Sequence, residues 1–163
     1  MKRILIVYHS LTGGTRQMAQ ATAAGATQAS SLEVCVELAL ACGPEALLAA
    51  SGYVFACPEN LAAISGLMKD FFDRCYYPVL ELLQGRPYAT LICAGSDGSN
   101  AARQVDRIAT GWRLRQIAPP LIVCTHAQTS EEILKPKVIA DADLARCKEL
   151  GATLAAGVEL GVF

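Results

Sequence analysis

Four largely apolar runs constrain this chain most: Ile4-Leu5-Ile6-Val7-Tyr8, Tyr53-Val54-Phe55-Ala56-Cys57, Tyr88 to Ala94 with only Thr90 polar, and Leu121-Ile122-Val123-Cys124. Each is short, and amphipathic helical stretches stand between them. A strand with no polar alternation is one covered on both faces, as in a parallel sheet flanked by helices. The stretch Leu32 to Leu38 differs. It alternates, with Cys35 alone softening its polar face, and reads as an edge strand with one wet face. Helical spacing appears in Gly14 to Ala29 (Met18, Ala19, Thr22, Ala23, Ala26 inward), in a short segment from Pro44 to Ala50, and in Leu61 to Leu83. It returns from Ala101 to Trp112 and from Asp141 to about Leu160. Pro58 is expected to stop the third strand and Pro78 to kink or split the long helical region. The Pro119-Pro120 pair breaks the fifth strand, Leu114 to Thr125, near its start. Ala127 to Lys137 is polar and shows no period.

Five strands alternating with about five helices, joined by short right-handed crossovers, make a doubly wound α/β sheet. With a ligand-type turn after the first strand and an amphipathic second strand, the expected order is 2-1-3-4-5. Ligands of such sheets bind at the carboxyl ends of the strands, at the switch point between strands one and three. Three loops converge there.

The first loop is Ser10-Leu11-Thr12-Gly13-Gly14-Thr15, running directly into a helix. Free N–H groups and the positive end of the helix dipole favour an anion at such a start. Three hydroxyls and two glycines let the backbone close around a phosphate. Neither a Gly-Lys-Ser/Thr nor a G-x-G-x-x-G follows. The same string also fits a plain helix N-cap by Thr12 or Thr15.

Ser10-x-Thr12-Gly13-x-Thr15 resembles the FMN-phosphate loop of the flavodoxin superfamily, and Met68-Lys69-x-Phe71-x-Asp73-Arg74 resembles its NAD(P)H-dependent FMN reductase and quinone reductase branch. The resemblance implies a flavodoxin-like three-layer sandwich, with residues 1–163 as one FMN-binding domain. It implies that the first loop holds the FMN phosphate without a basic side chain. Pro58, Glu59, Asn60 and Leu61 would lie along the flavin edge, and Ala94, Gly95, Ser96, Asp97 and Gly98 around its pyrimidine end. Helical spacing reads Met68 and Phe71 as core stripe, and Glu59 and Asp97 also fit plain solvated loop charges. Classical members stack aromatic rings on the flavin. Neither Pro58 to Ser65 nor Ala94 to Asn100 carries an aromatic residue, which leaves a ring face open unless Trp112, Tyr76, Tyr77 or a second subunit of a homo-oligomer covers it.

Composition bounds the function. The 163 residues are 53% hydrophobic and 18% charged, which excludes a disordered chain. A formal net charge of -1 gives no electrostatic case for nucleic acid and departs from the acidity of the flavodoxin carriers. Seven cysteines, at 35, 42, 57, 75, 93, 124 and 147, form no C-x-x-C pair and read as small hydrophobes of a reducing cytoplasm. No run reaches a membrane-spanning length, and the first residues lack a signal-type apolar segment. His9 and His126 read as structural. No triad, metal spacing or carboxylate pair appears, so no catalytic side chain and no metal site is expected. The expectation is an oxidoreductase moving electrons from NAD(P)H through FMN to a small acceptor such as a quinone. The alternatives are an electron carrier for a redox partner protein and a non-enzymatic module on the same fold.

Overall fold

The computed structural model describes Met1–Phe163. Its elements are, in order, β1 (Arg3–Tyr8), α1 (Gly14–Ala29), β2 (Glu33–Leu38), α2 (Pro44–Ala49), β3 (Gly52–Asn60), β4 (Ala63–Ile64), α3 (Gly66–Cys75), β5 (Pro87–Ala94), α4 (Ser99–Gly111), β6 (Arg115–Gln116), β7 (Leu121–Cys124), α5 (Ser130–Leu134) and α6 (Asp141–Leu160). The sheet runs β2-β1-β3-β5, and β6 and β7 both pair with β5 in parallel. With β5 as the fourth main strand and β6 with β7 as an interrupted fifth, this is the 2-1-3-4-5 order. The interruption falls at Pro119 and Pro120, which have no N–H to donate to the ladder.

Alternation within the buried strands supplies two cores. In β1, Leu5 and Val7 face one side, and Ile4 and Ile6 the other. In β3, Tyr53 and Phe55 face the first side, and Val54 and Ala56 the second. The first core takes Met68, Phe71 and Phe72 from α3, Val105 from α4, and Trp112. The second takes Met18 and Ala26 from α1, and Cys147 and Leu154 from α6. Met68 and Phe71 are therefore core stripe. On the second side α1 and α6 touch backbone to backbone. A Cβ on Gly25 would strike the Lys148 carbonyl, and one on Gly151 the Thr22 carbonyl. The edge strand β2 buries none of its residues fully. All seven cysteines are free thiols, and five of them are buried.

Two expectations need correction. Pro58 does not end β3. It keeps a parallel register with Cys93, and the strand continues through Asn60, turns at Leu61 and Ala62, and returns antiparallel as β4. Leu61, spaced as if on a helix, is instead the fully exposed tip of this hairpin, at 102% relative exposure. The helix starts only at Gly66, and it ends at Cys75 ahead of Pro78, with hydrogen-bonded turns carrying the chain from Tyr76 to Leu83. A proline supplies no N–H for the next helical bond, so the long periodic segment is split as its sequence implies.

Candidate functional site

The carboxyl ends of β1, β3 and β5 open onto a cleft of about 490 Å³, within the ~300–1,000 Å³ range of small-molecule sites. Leu11, Thr12, Pro58, Glu59, Asn60, Leu61, Ala94, Gly95 and Ser96 line it, so all three loops contribute. Ser10 and Gly13 border an adjoining hollow, and Gly14, Thr15, Asp97 and Gly98 line neither.

The first loop is preorganised and underused. Ser10 Oγ accepts from the Gly13 N–H at 3.1 Å. Gly13 is left-handed, at φ 92°, and caps α1 with no side-chain hydrogen bond. Neither Thr12 nor Thr15 is the cap, which removes the plain N-cap explanation. Gly14 must be small, because a Cβ there would lie 2.7 Å from Cys93 Sγ. The Thr15 hydroxyl is buried without any hydrogen-bond partner. An orphaned buried hydroxyl costs about 1–3 kcal/mol, and here it stands beside uncapped helix-start amides. That donor set fits the phosphate of FMN.

The second loop is a two-residue hairpin with Leu61 at φ 50° and Ala62 at φ 61°. Left-handed backbone costs a non-glycine residue roughly 1–2 kcal/mol, so something must hold the turn. Four hydrogen bonds to α4 and its cap do so. Glu59 Oε1 and Oε2 accept from the N–H groups of Gly98 at 3.0 Å and Ala101 at 3.3 Å. Asn100 Nδ2 donates to the Ala62 carbonyl, and Ile64 N–H donates to Gln104 Oε1 at 2.9 Å. Glu59 lines the cleft but is tied to the chain rather than being a plain solvated loop charge. It caps α4, whose own cap residue Gly98 is left-handed and has no side chain to offer.

The third loop is held by Thr125 N–H on the Ala94 carbonyl at 2.9 Å and His126 N–H on the Gly95 carbonyl at 2.8 Å. The Asp97 carboxylate accepts from Ser99 N–H and Oγ, which turns it away from the cleft. Gly98 packs so close that a Cβ would lie 2.7 Å from Ile122 Cγ2.

The cleft has a fourth wall. Ala127, Gln128, Ile133 and Lys137 line the cleft from the segment that shows no period in the sequence, and Thr125 joins them from the end of the fifth strand's span. Lys137 N–H donates to the Thr12 carbonyl at 2.8 Å. Gln17 Nε2 donates to the carbonyls of Gly13 at 3.0 Å and Lys137 at 2.7 Å, while its Oε1 accepts from Ile139 N–H at 3.1 Å. The Lys137 ammonium caps α5 through the carbonyls of Glu132, Ile133 and Lys135. Thr129-Ser130-Glu131-Glu132 is a capping box in the sequence, and in the structure both of its reciprocal bonds form. That signature could have located α5.

No side chain here is primed for acid, base or nucleophilic work. Burial pushes the Cys93 thiol up to about 11, so it stays protonated at neutral pH. Burial lowers the His9 pKa, and its Nδ1 lies 2.7 Å from Ser65 Oγ, linking the first loop to the start of α3. No group of three His, Cys, Asp or Glu could hold a metal ion. No aromatic residue lines the cleft. Trp112 is fully buried and donates from Nε1 to the Tyr76 carbonyl at 3.1 Å, Tyr76 stacks on it, and Tyr77 points to solvent. No helix is long and apolar enough to cross a membrane.

Residues 43–129 match the family model of NADPH-dependent FMN reductase. The chain is 33% identical over 96 residues to a flavodoxin of Aquifex aeolicus, covering 59% of this chain and 50% of that one. It is 33% identical over 94 residues to an NAD(P)H dehydrogenase (quinone) of Acidithiobacillus ferrooxidans, covering 45% and 47%. It therefore spans about half the length of these curated relatives. A flavodoxin from the domain Archaea superposes with a TM-score of 0.80 at 22% identity, covering 96% of this chain and 98% of that chain. A WrbA-like flavodoxin from Agrobacterium tumefaciens does so at 0.76 and 18%, covering 98% and 99%, and both likenesses speak to the fold. The matched family, together with a flavodoxin-like sheet whose loops meet in one cleft, identifies the chain as a member of the NADPH-dependent FMN reductase family.

Proposed function

We propose that this chain binds FMN across the three loops, accepts reducing equivalents from NADPH or NADH, and passes them to a small acceptor such as a quinone. One observation carries the reading: the buried, unpartnered Thr15 hydroxyl in the first turn of α1, beside uncapped amides and next to the loop whose Leu11 and Thr12 wall a cleft that two further loops share. FMN, when bound, supplies the electron-transfer chemistry, and the protein binds, orients and shields it.

The chain's own residues divide that work. The hydroxyls of Ser10, Thr12 and Thr15 and the amides from Gly13 onward would hold the phosphate dianion. Pro58 to Leu61 and Ala94 to Gly98 would line the ring edge, and the backbone N–H groups of Glu59 to Leu61 and of Ala94 to Asp97 would supply the fixed dipoles that favour negative charge there. Glu59 positions both segments at once through the α4 start. Leu11, Leu61 and Ile133 supply apolar wall, and no aromatic ring competes for the flavin face. An open face admits a second planar molecule. The named activity of the Acidithiobacillus relative supports a quinone as acceptor.

Anaerobic addition of NADPH and of NADH to the FMN-loaded protein tests this. The flavin absorbance should bleach with at least one donor and return when a quinone is added. Protein that binds FMN but is bleached by neither donor would favour the second reading, a carrier reduced by a partner protein, which the Aquifex flavodoxin relative supports.

A further inference from the structure

Beyond the Ser10–Gly13 loop, on the side away from the flavin cleft, lies a second hollow of about 470 Å³. Tyr8, Leu38, Leu134 and Pro136 wall it, and Arg16 stands on its loop side. The two cavities share only Leu11 and Thr12, so the loop is the partition between them. Leu38 and Leu134 are 50% and 68% exposed, so one side of the hollow is apolar yet open to solvent, while Ser10, Thr12 and Arg16 make the loop side polar. No carboxylate lines it.

Arg16 is the charged group of this hollow. It sits in the first turn of α1 and folds back over the loop, with Nη2 only 3.6 Å from where a Cβ on Gly13 would stand. Arg3, Arg74 and Arg146 are tied to carboxylates, while Arg16 takes part in none of the five ion pairs. A free planar guanidinium beside the apolar side chains of Tyr8, Leu38, Leu134 and Pro136 matches a ligand with an aromatic ring and a phosphate, because the guanidinium fork suits phosphate oxygens.

We propose that this hollow receives the adenosine end of the dinucleotide donor, with Arg16 hydrogen-bonding the 2′-phosphate that distinguishes NADPH from NADH. This rests on the FMN reading for its other end: a donor lying over Leu11 spans both cavities and sets its nicotinamide above the flavin cleft. The FMN phosphate inside the loop offers Arg16 the same chemistry, and the test separates the two.

FMN-loaded protein is titrated calorimetrically with adenosine 2′,5′-bisphosphate and with AMP, as wild type and as Arg16→Gln, and the FMN affinity of each protein is measured separately. Arg16 is exposed, so the substitution spares the fold. Wild type should prefer the bisphosphate by about tenfold or more, the scale of one charge-assisted hydrogen bond. Arg16→Gln should bring that ratio near one with FMN affinity intact. Leu134→Asp, on the exposed wall, should weaken both nucleotides. A wild-type ratio near one overturns the proposal. So does a ratio that survives in Arg16→Gln, and if FMN affinity falls there instead, the guanidinium belongs to the flavin phosphate. Should wild type take up no FMN, the flavin reading fails, while titrating the FMN-free protein with the bisphosphate still tests the hollow.

Discussion

Thr15 concentrates the argument at the scale of single residues. Its hydroxyl is desolvated for no partner within the chain, so Thr15→Val should leave the FMN-free fold as stable, or stabilise it by about 1 kcal/mol. The same change should weaken FMN binding about tenfold, since one hydrogen bond to a charged phosphate is lost. Thermal melts of the FMN-free protein and a fluorescence titration check the two halves. Gly14 offers a second case. Gly14→Ala places a methyl 2.7 Å from Cys93 Sγ and should be destabilising by about 1–3 kcal/mol, and adding Cys93→Ala should restore much of that loss. His9 provides a pH signature. Burial holds its folded pKa below the ordinary 6.5, so the unfolded chain binds more protons in between. Stability contributed by neutral His9 is complete above 6.5 and is lost as pH falls from there toward the folded value. His9→Gln should flatten the fall in urea midpoint between about pH 7 and pH 5, where an ordinary histidine titrates.

At the scale of elements, two devices set the geometry. The first is the α1–α6 contact, where Gly25 and Gly151 let each backbone rest on the other. Gly151→Ala must force the helices apart against a rigid carbonyl rather than a movable side chain. It should cost about 1–3 kcal/mol or more, seen as a lower urea midpoint at an unchanged m-value. The second is the Gln17 clamp. One side-chain amide joins α1 to Gly13, Lys137 and Ile139, so it ties the first loop to the α5 wall. Gln17→Ala should raise amide hydrogen exchange across residues 130–138 while leaving the central strands β1 and β3 protected, a local opening rather than a global one.

For the whole molecule, ligand and fold are linked by mass action. FMN at about 100 times its dissociation constant should stabilise the fold by about 2.7 kcal/mol and raise Tm by about 5–10 °C. Riboflavin, lacking the phosphate, should raise it much less at equal concentration, because the uncapped α1 start would gain nothing from it. The main architecture was legible because its causes are local or periodic. Largely apolar runs specify strands covered on both faces, 3.6-residue spacing specifies the helices, and the hydroxyl and glycine content of residues 10–15 specifies a turn that can face an anion. Leu61 and Ile64 were misread because apolar spacing cannot distinguish a helix from a hairpin whose strain is offset elsewhere. What holds that hairpin is Glu59, Asn100 and Gln104 reaching between it and α4, and such contacts leave no trace in local sequence. The same holds for the fourth wall and for the second hollow with Arg16. The residues of each lie far apart in sequence, and only the folded chain sets them side by side. Sequence alone therefore determined the layers, the strand order and the hydroxyl- and glycine-rich turn ahead of α1, since these follow from patterns a few residues long. Tertiary structure alone decided which loop carboxylates are spent on helix starts, where the aromatic side chains go, and what closes the cleft, since each of those depends on contacts between distant segments.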